Sequence, residues 1–166
     1  PPHDVTDTQR ISVHNAQTGT ASCEEVAPDA DTIAQRRQDV LDAGAPYIVA
    51  QLNGVVHGYA YATGFRPRSA YRYTAEDSIY VDPQATGMGI GSQLLGALIE
   101  RCTDLGYRQM VAVIGGAQNV ASINVHKRHG FDQVGQLKST GLKFGAWVDT
   151  VIMQRALGPG DDTLPD

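Results

Sequence analysis

The sequence predicts a single mixed α/β domain over residues 1–157, with an antiparallel front half, a strand-helix-strand crossover behind it, and a flexible C-terminal tail over 158–166. Three observations support this fold class. The chain has 166 residues, the size of one domain with a sizeable core. Two β-rich runs flank Asn53 and Gly54, the dipeptide that most readily forms a tight hairpin turn. A β-prone stretch then leads into a leucine-rich helical pattern and another apolar run, as a crossover requires.

Caps and turns delimit the elements of the front half. Gly44 is suited to end a helix, and Asp82 with Pro83 stops a strand, because proline cannot donate to a sheet ladder. Between them lies a polar segment rich in tyrosine and arginine, "FRPRSAYRYTAED". In chain order we predict a helix over about 7–16, a helix over 30–43, the hairpin over 46–64 and a short strand over 78–81.

The back half alternates helices and strands. Apolar residues recur at helical spacing from Ser92 to Leu105, and Gly106 is a suitable C-terminal cap, so we predict an amphipathic helix of about four turns. "QMVAVIG" is typical of a buried strand, and "ASINVHKRHG" of a second helix that ends at Gly130. "FDQVGQL" and "VDTVIMQRAL" supply two more strands, and the tail from Gly158 is expected to fray.

Composition excludes several classes of protein. The formal net charge is −5, so no basic excess favours nucleic acid as a partner. No apolar run approaches the roughly 20 residues that a membrane helix needs, and the N-terminus lacks a signal pattern, so we expect a cytoplasmic protein. Cys23 and Cys102 lack metal-type spacing, and Cys102 falls on an apolar helix face, which indicates a buried thiol. His126 and His129 are three apart, but no further ligands cluster near them, so no metal site is expected.

The stretch "VDPQATGMGIGSQLL" places three glycines at alternate positions before a helix. Amides at a helix N-terminus attract anions, and Gly87, Gly89 and Gly91 carry no Cβ that would keep a diphosphate away from the backbone. A Walker loop requires Gly-Lys-Ser/Thr, and a dinucleotide fingerprint requires glycine where Ser92 stands, so both are disfavoured. The alternative is that these glycines only form a turn or pack closely.

"QATGMGIGSQLL" resembles the Q/R-x-x-G-x-G/A signature of the GNAT superfamily of N-acetyltransferases, with Gln84, Gly87 and Gly89 in the signature positions. The segments "YTAEDSIYVDP", "VAVIGGAQNVASINVHKRHGF" and "GLKFGAWVDTVIMQRAL" are similar, in order and spacing, to its phosphinothricin and methionine sulfone/sulfoximine acetyltransferase branch. The resemblance implies a GNAT-like domain, acetyl coenzyme A as co-substrate and a homodimer. It assigns cofactor contacts to Tyr80, Val81, Gln84, Ala85, Thr86, Gly87, Met88, Gly89, Ile90, Gly91, Ser92, Asn119 and Ser122.

Two departures from the family pattern accompany this resemblance. The family opens with a short strand before its first helix, whereas this chain begins at Pro1, where that strand should have ended, so we expect upstream residues to be missing. The family's Gly-Phe-Lys-Phe-Gly-Arg-Trp stretch has Leu142 and Ala146 here, losing one ring and one arginine. We therefore expect a changed pocket shape or dimer contact.

Two residues are candidates for proton transfer. Glu76 lies just upstream of the predicted strand 78–81 and matches the family's catalytic glutamate, which suits a general base for an ammonium acceptor. His126 stands where many members of the superfamily have a tyrosine that protonates the departing thiolate, and the branch resembled here has histidine. The alternatives are that Glu76 and Asp77 form a solvated surface pair and that His126 is a packed helix residue.

Arg66 and Arg68, with Tyr71, are the candidates for binding the acceptor. Arginine binds carboxylate or phosphinate groups through two parallel hydrogen bonds, so this pair upstream of Glu76 suits a small anionic amino-acid-like acceptor. The Arg-x-Arg spacing resembles the methionine sulfone/sulfoximine group. A solvated basic loop is the alternative for these arginines. For the whole protein, the alternatives are an acceptor that is a protein N-terminus or a polyamine, and a non-catalytic acyl-coenzyme A-binding module.

Overall fold

The computed structural model describes residues 2–18 and 26–165, and it confirms the predicted mixed α/β fold. Cys23 lies outside these residues. The described helices are α1 (Pro2–Thr18), α2 (Ala30–Asp42), α3 (Ile90–Asp104) and α4 (Val120–Arg128). The strands are β1 (Tyr47–Leu52), β2 (Val55–Gly64), β3 (Thr74–Val81), β4 (Gln109–Gly115), β5 (Asp132–Lys143) and β6 (Ala146–Ala156). Short 3₁₀ turns occupy Ser69–Tyr71 and Pro83–Ala85.

The strands form one sheet in the order β1-β2-β3-β4-β6-β5. All neighbours are antiparallel except β3 and β4, which are parallel because α3 carries the chain back between them. The parallel ladder begins at Thr74 and Gln109 and stops at Asp77 and Ala112. Both strands continue beyond that point, so a gap opens between them at their carboxyl ends.

Helices cover both faces of the sheet. The larger core packs α3 against the sheet, through Leu94, Leu95 and Leu98 on the helix and Ala60 and Ala62 on β2. Cys102 belongs to this core with no exposed surface, which confirms the predicted buried thiol, and burial raises its pKa to about 12. A smaller cluster holds α1 against β2.

Gly58 on β2 sets how closely α3 approaches the sheet. A Cβ at this position would lie 3.0 Å from side-chain carbons of Ile90 and Leu94 and 3.1 Å from the carbonyl oxygen of Tyr80. A larger residue would therefore push the first turn of α3 away from the sheet. The close contact keeps the start of this helix beside the end of β3.

Several element boundaries differ from the predicted ones. β3 begins at Thr74 rather than Ser78, because its first residues pair with β2 on one side and β4 on the other. α3 begins at Ile90 rather than Ser92, and α1 is longer than predicted. β5 extends to Lys143 as part of a long hairpin with β6, and its register shifts between Leu137 and Gly141.

The C-terminal residues form turns next to Arg108. The guanidinium of Arg108 donates to the carbonyl oxygens of Gly160, at 3.2 Å, and Thr163, at 3.3 Å. The flexibility of residues 158–166 stays a prediction. Within the described residues, no helix combines the length and apolar character needed to cross a membrane.

Candidate active site

A cleft of about 800 Å³ fills the gap between β3 and β4. β3 lines it from Glu76 to Val81, so both faces of this strand contribute to the wall. Val113 and Ile114 line it from β4, while α1 and α2 contribute Asn15 and Arg36. The rest is formed by the loop before α3, the first turn of α3, α4 with His126, and Tyr61 of β2. The cleft therefore connects the glycine-rich loop to the acidic side chains of β3.

The glycine-rich loop has the geometry expected of an anion cradle. Gly87 and Gly89 have φ angles of 82° and 77°, in the left-handed region that glycine adopts without strain. Gly89 is also the N-cap of α3, so the first amides of that helix, which have no acceptor within the helix, lie directly after it. Apart from the adjacent residues, no atom of the described part of the chain lies within 4 Å of an ideal Cβ at either glycine, which leaves room for a phosphate to approach the backbone.

Gly91 and Ser92 serve a different purpose from the two glycines before them. Gly91 lies within α3, and a Cβ there would make an ordinary contact of 3.5 Å with Val81. Its lack of a side chain is therefore not needed for the turn. The hydroxyl of Ser92 hydrogen-bonds to His129 Nε2 at 2.8 Å, which ties the start of α3 to the end of α4.

Most residues that the resemblance assigned to the cofactor lie on the cleft wall. The exceptions are Gln84 and Met88, both of which are exposed and outside it. Asn119 is the N-cap of α4, and its side chain accepts a hydrogen bond from the amide of Ser122 at 3.3 Å. The lining cofactor candidates are Tyr80, Val81, Ala85, Thr86, Gly87, Gly89, Ile90, Gly91, Ser92, Asn119 and Ser122.

Glu76 lies within β3 rather than upstream of it, opposite Thr63 of β2. Its side chain is half-buried on the cleft wall. Burial raises the pKa of this carboxyl above its ordinary value, the negative charge of Asp77 adds to the rise, and Arg66 opposes it. A half-buried carboxylate of raised pKa is a stronger base than an exposed one.

Asp77 is buried, so the alternative of a solvated Glu76-Asp77 surface pair is wrong. Side chains alternate along a strand, so Asp77 points to the opposite face of the sheet from Glu76. There Asp77 Oδ1 lies 3.1 Å from His126 Nε2, and both side chains are only 4% exposed. His126 Nδ1 donates to the carbonyl oxygen of Ser122 at 2.7 Å. Both nitrogens of His126 are thus engaged.

The charge on Asp77 decides the protonation state of His126. Burial by itself would lower the pKa of the imidazole, but the hydrogen bond and charge of Asp77, with the Ser122 carbonyl, raise it above its ordinary value. The imidazolium form satisfies both acceptors at once. The second oxygen of Asp77, Oδ2, is buried and has no hydrogen-bond partner among the described residues.

The three predicted acceptor-binding residues do not line the cleft. Arg66 follows β2, with its guanidinium carbon 5.2 Å from the centre of the Phe65 ring. Tyr71 lies in the 3₁₀ turn and contacts the same ring edge-on, with centroids 6.0 Å apart. Arg68 is the exposed residue that precedes this turn. The effect of Arg66 on the pKa of Glu76 places this segment near the acidic end of the cleft.

The sequence interpretation missed several side chains in the cleft. Tyr61 pairs with Ser78 across the β2-β3 ladder, so it lies on the same face as Glu76, and the hairpin register could have revealed this. Asn15 and Arg36 come from helices far away in sequence, and no local pattern indicates them. Within residues 2–18 and 26–165, no three His, Cys, Asp or Glu side chains are grouped so that they could hold a metal ion.

These features define a class of protein. A phosphate-type loop at one end of a cleft and a basic carboxylate at the other suit a transferase that moves a group from a phosphate-bearing donor to an acceptor. Comparison with known proteins gives the family. The model of the "Acetyltransferase (GNAT) family" matches residues 12–131, so the chain belongs to that family and is an acetyltransferase.

Individual relatives agree with this assignment. The chain is 54% identical to a phosphinothricin N-acetyltransferase of Alcaligenes faecalis over 156 residues, covering 94% of this chain and 79% of the relative. It is 43% identical to a methionine sulfoximine/methionine sulfone acetyltransferase of Salmonella typhimurium, covering 69% of this chain and 66% of that one. The crystal structure of a phosphinothricin acetyltransferase from Sinorhizobium meliloti with acetyl coenzyme A superposes with a TM-score of 0.96. That pair shares 46% identity over 100% of this chain and 90% of the other. The predicted family resemblance and acetyl coenzyme A as co-substrate are confirmed.

The pair of Asp77 and His126 predicts how stability depends on pH. Because the folded-state pKa of His126 is raised, the folded protein holds a proton that the unfolded chain loses near pH 6.5. The resulting stabilisation of the folded state should be complete below that pH. It should be lost as the pH rises through the pKa of His126 in the folded protein, which is the higher of the two. The substitution Asp77→Asn should remove this decrease in the free energy of unfolding with rising pH, as measured by urea unfolding between pH 6 and 9.

Asp104→Asn is the matched control, because Asp104 is an exposed carboxylate at the end of α3. This control should keep the pH dependence of the wild type. Equal slopes of unfolding free energy against pH in wild type and Asp77→Asn would show that the two side chains do not share the proton.

Proposed function

We propose that the enzyme transfers the acetyl group of acetyl coenzyme A directly to the α-amine of a small amino-acid-like acceptor of the phosphinothricin or methionine sulfone/sulfoximine type. The observation that carries the proposal is the position of Glu76, a half-buried carboxylate on the wall of the cleft that begins at the glycine-rich loop. The relatives named above support the choice of acceptor.

In this proposal Glu76 is the general base. An α-amine is mostly protonated at neutral pH and cannot attack until it loses a proton. Glu76 takes that proton, directly or through a water molecule, and its raised pKa favours the transfer. The neutral nitrogen then attacks the acetyl carbonyl carbon, and the carbon-sulfur bond breaks with its electron pair leaving on sulfur. The nitrogen gives up its second proton to water to become an amide, so the acetyl group passes to the acceptor without becoming attached to the enzyme.

The backbone of β3 is proposed to stabilise the negative charge that develops on the carbonyl oxygen. The parallel ladder ends at Asp77, so the main chain from Ser78 to Val81 faces the cleft on the β4 side. Amide donors held rigidly by a sheet need no reorganisation during the reaction, which is why such groups contribute strongly to catalysis. The pairing of this segment with β2 supplies the rigidity.

His126 is proposed to supply the proton for the departing thiolate. Its Nδ1 proton is committed to the carbonyl oxygen of Ser122, so the Nε2 proton shared with Asp77 is the mobile one. The raised pKa favours the charged imidazolium, which is the form that a proton donor requires. Once Nε2 has lost its proton, its lone pair faces the Asp77 carboxylate, and this unfavourable contact between two acceptors favours rapid reprotonation of the ring.

Arg66 and Arg68, with Tyr71, are proposed to bind the anionic part of the acceptor. The nearness of Arg66 to Glu76 supports this, because an amino acid presents its amine and its carboxylate a few ångströms apart. An arginine at the mouth of the cleft would hold the carboxylate while the amine reaches the base. We also propose a cytoplasmic location, which follows from the use of acetyl coenzyme A and which cell fractionation would check.

A homodimer is proposed on the basis of the β5-β6 hairpin. β5 is the edge strand of the sheet, and the hairpin exposes Leu142, Phe144 and Trp147 by 51%, 62% and 68%. Large apolar side chains grouped at one exposed edge are typical of a surface that another chain covers. A second copy is the partner that the family resemblance implies.

Replacement of Glu76→Gln tests the general base. We expect kcat/KM for an amino-acid acceptor to fall about 10²- to 10⁴-fold near neutral pH, the usual contribution of such a group. The defect should shrink as the pH rises, because more of the acceptor is then neutral before it binds. A thiol-release assay measures the rate, and Glu100→Gln, an exposed glutamate on α3, is the matched control. Undiminished turnover in Glu76→Gln would contradict the assignment.

Replacement of Arg68→Ala tests the acceptor class. We expect the KM of a sulfone- or phosphinate-bearing amino acid to rise about tenfold, a typical loss for a charged hydrogen bond, with the KM of acetyl coenzyme A unchanged. Arg72→Ala is the control, because Arg72 lies in the same segment and donates to the carbonyl of Ser69. An unchanged KM for the anionic acceptor would favour a polyamine or a protein N-terminus instead.

Replacement of Trp147→Glu tests the homodimer. Sedimentation velocity should show the wild-type protein as a dimer, at about twice the mass of one chain, and the variant as a monomer. The reason is that a carboxylate in an apolar interface is costly to desolvate. Leu164→Glu is the control, since Leu164 is 92% exposed and lies in the C-terminal tail. A wild-type protein that sediments as a single chain would remove the proposal.

A further inference from the structure

Asp82 is a buried carboxylate between β3 and the glycine-rich loop, and the chemistry above does not use it. The residue is 2% exposed, and its backbone amide donates to the carbonyl of His57 at 2.8 Å. Its Oδ1 accepts a hydrogen bond from the amide of Gln84 at 3.0 Å and so caps the 3₁₀ turn that leads into the loop. Loss of such a cap frees the turn that it holds.

The other oxygen of Asp82 points to a different part of the molecule. Its Oδ2 accepts from Arg10 Nη1 on α1 at 2.6 Å, across 72 residues of sequence. Arg10 Nη2 also donates to the carbonyl of Val56 at 3.3 Å, while Asp7 on the same helix accepts from the amide of Val56 at 3.1 Å. α1 is therefore fastened both to β2 and to the carboxylate that caps the loop.

The same helix also lines the cleft. Asn15, just over one turn beyond Arg10, lies on the cleft wall, and its side chain donates to the carbonyl of Ile11 at 2.8 Å. Ser12 hydrogen-bonds to the hydroxyl of Tyr59, which packs against Tyr80 of β3 with ring centroids 4.9 Å apart. Any displacement of α1 therefore moves part of the cleft wall on the side of Glu76.

We propose that Asp82 is a positioning residue that holds the two substrate sites in a fixed position relative to each other. Its Oδ1 fixes the loop that binds coenzyme A, and its Oδ2 fixes α1, which lines the cleft where the acceptor binds. The proposal rests on the proposed acetyl transfer. Burial works against ionisation of Asp82, but the hydrogen bonds from Arg10 and from the Gln84 amide outweigh it and lower the pKa of the carboxyl. The group is thus charged at neutral pH and bonded through both oxygens.

Two substitutions at this one position separate the two roles. Asp82→Asn keeps an oxygen that can accept from the Gln84 amide but loses the charge that pairs with Arg10. We expect it to raise the KM of the acceptor about tenfold, because small misplacements of substrate-contacting groups are costly, and to leave the Kd of coenzyme A within about twofold of wild type. Asp82→Ala loses both bonds, so it should also raise the Kd of coenzyme A about fivefold, as calorimetry would show.

The double variant Arg10→Gln/Asp82→Asn tests whether the two residues act together. It should match Asp82→Asn in the KM of the acceptor, because the interaction is already broken in the single variant. Asp132→Asn, an exposed carboxylate on β5, is the control and should behave as wild type. Additive losses in the double variant, or a fall in unfolding free energy with the Kd and KM unchanged, would overturn the proposal.

A readout without turnover separates this proposal from the proposed function. Coenzyme A binding to wild type should slow amide hydrogen exchange both in residues 83–91 and in α1, whereas in Asp82→Asn it should slow exchange in residues 83–91 alone. If no amine is acetylated but this pattern holds, the function is wrong and the positioning role stands. If acetylation proceeds and α1 responds equally in both proteins, the positioning role is wrong.

Discussion

The parallel pairing of β3 and β4 stops at Asp77 and Ala112, and the chemistry of this protein depends on that interruption. A continued ladder would satisfy every backbone group and leave no cleft. Ending it early leaves main-chain donors and acceptors of β3 facing a space that a ligand can enter, and unbonded backbone groups favour a ligand that can bond to them. The loss of backbone hydrogen bonds is limited to the β4 side, because β2 continues to pair with β3 as far as Val81. One edge of the strand holds it in place while the other is available for catalysis.

Adjacent carboxylates on one strand acquire different properties from this arrangement. Alternation sends Glu76 to the face covered by α1 and α2 and Asp77 to the face covered by α3 and α4. Glu76 remains half-buried, and burial together with the neighbouring charge of Asp77 raises its pKa. Asp77 is buried but paired with His126, which carries the compensating proton. This buried pair ties α4 to β3 beside the cleft.

The sequence was sufficient to predict the features that depend on a short run of residues. The Asn53-Gly54 hairpin, the amphipathic helix after the glycines and the family signature each depend on a short run of residues, and all three are present in the structure. The sequence was not sufficient to predict elements in which pairing between distant segments overrides the local secondary-structure preference. Ala75, Glu76 and Asp77 belong to residue types that are depleted in strands, yet they form part of β3 because they pair with β2 on one side and β4 on the other. Asn15 and Arg36 reach the cleft through helix packing, and Asp82 meets Arg10 across 72 residues, which no local pattern encodes.

The anion site proposed at the glycine-rich loop consists of backbone amides rather than cationic side chains. The protein has a net charge of −5, yet it must hold the diphosphate of its donor. Surface carboxylates more than about 8 Å from the loop are screened at physiological ionic strength, so they oppose binding only weakly. In the proposed binding mode, the amides of Gly87, Gly89 and the first turn of α3 would bond directly to the phosphates, where screening is slight, and the helix dipole would add to them. Arginine side chains in the loop would attract the phosphates, but they would lose conformational entropy on binding and would occupy space next to the backbone. Glycines let the phosphate approach the main chain itself. In the proposed binding mode the phosphate affinity therefore depends on the geometry of the loop more than on net charge, and Asp82 is the buried carboxylate that caps the turn leading into that loop.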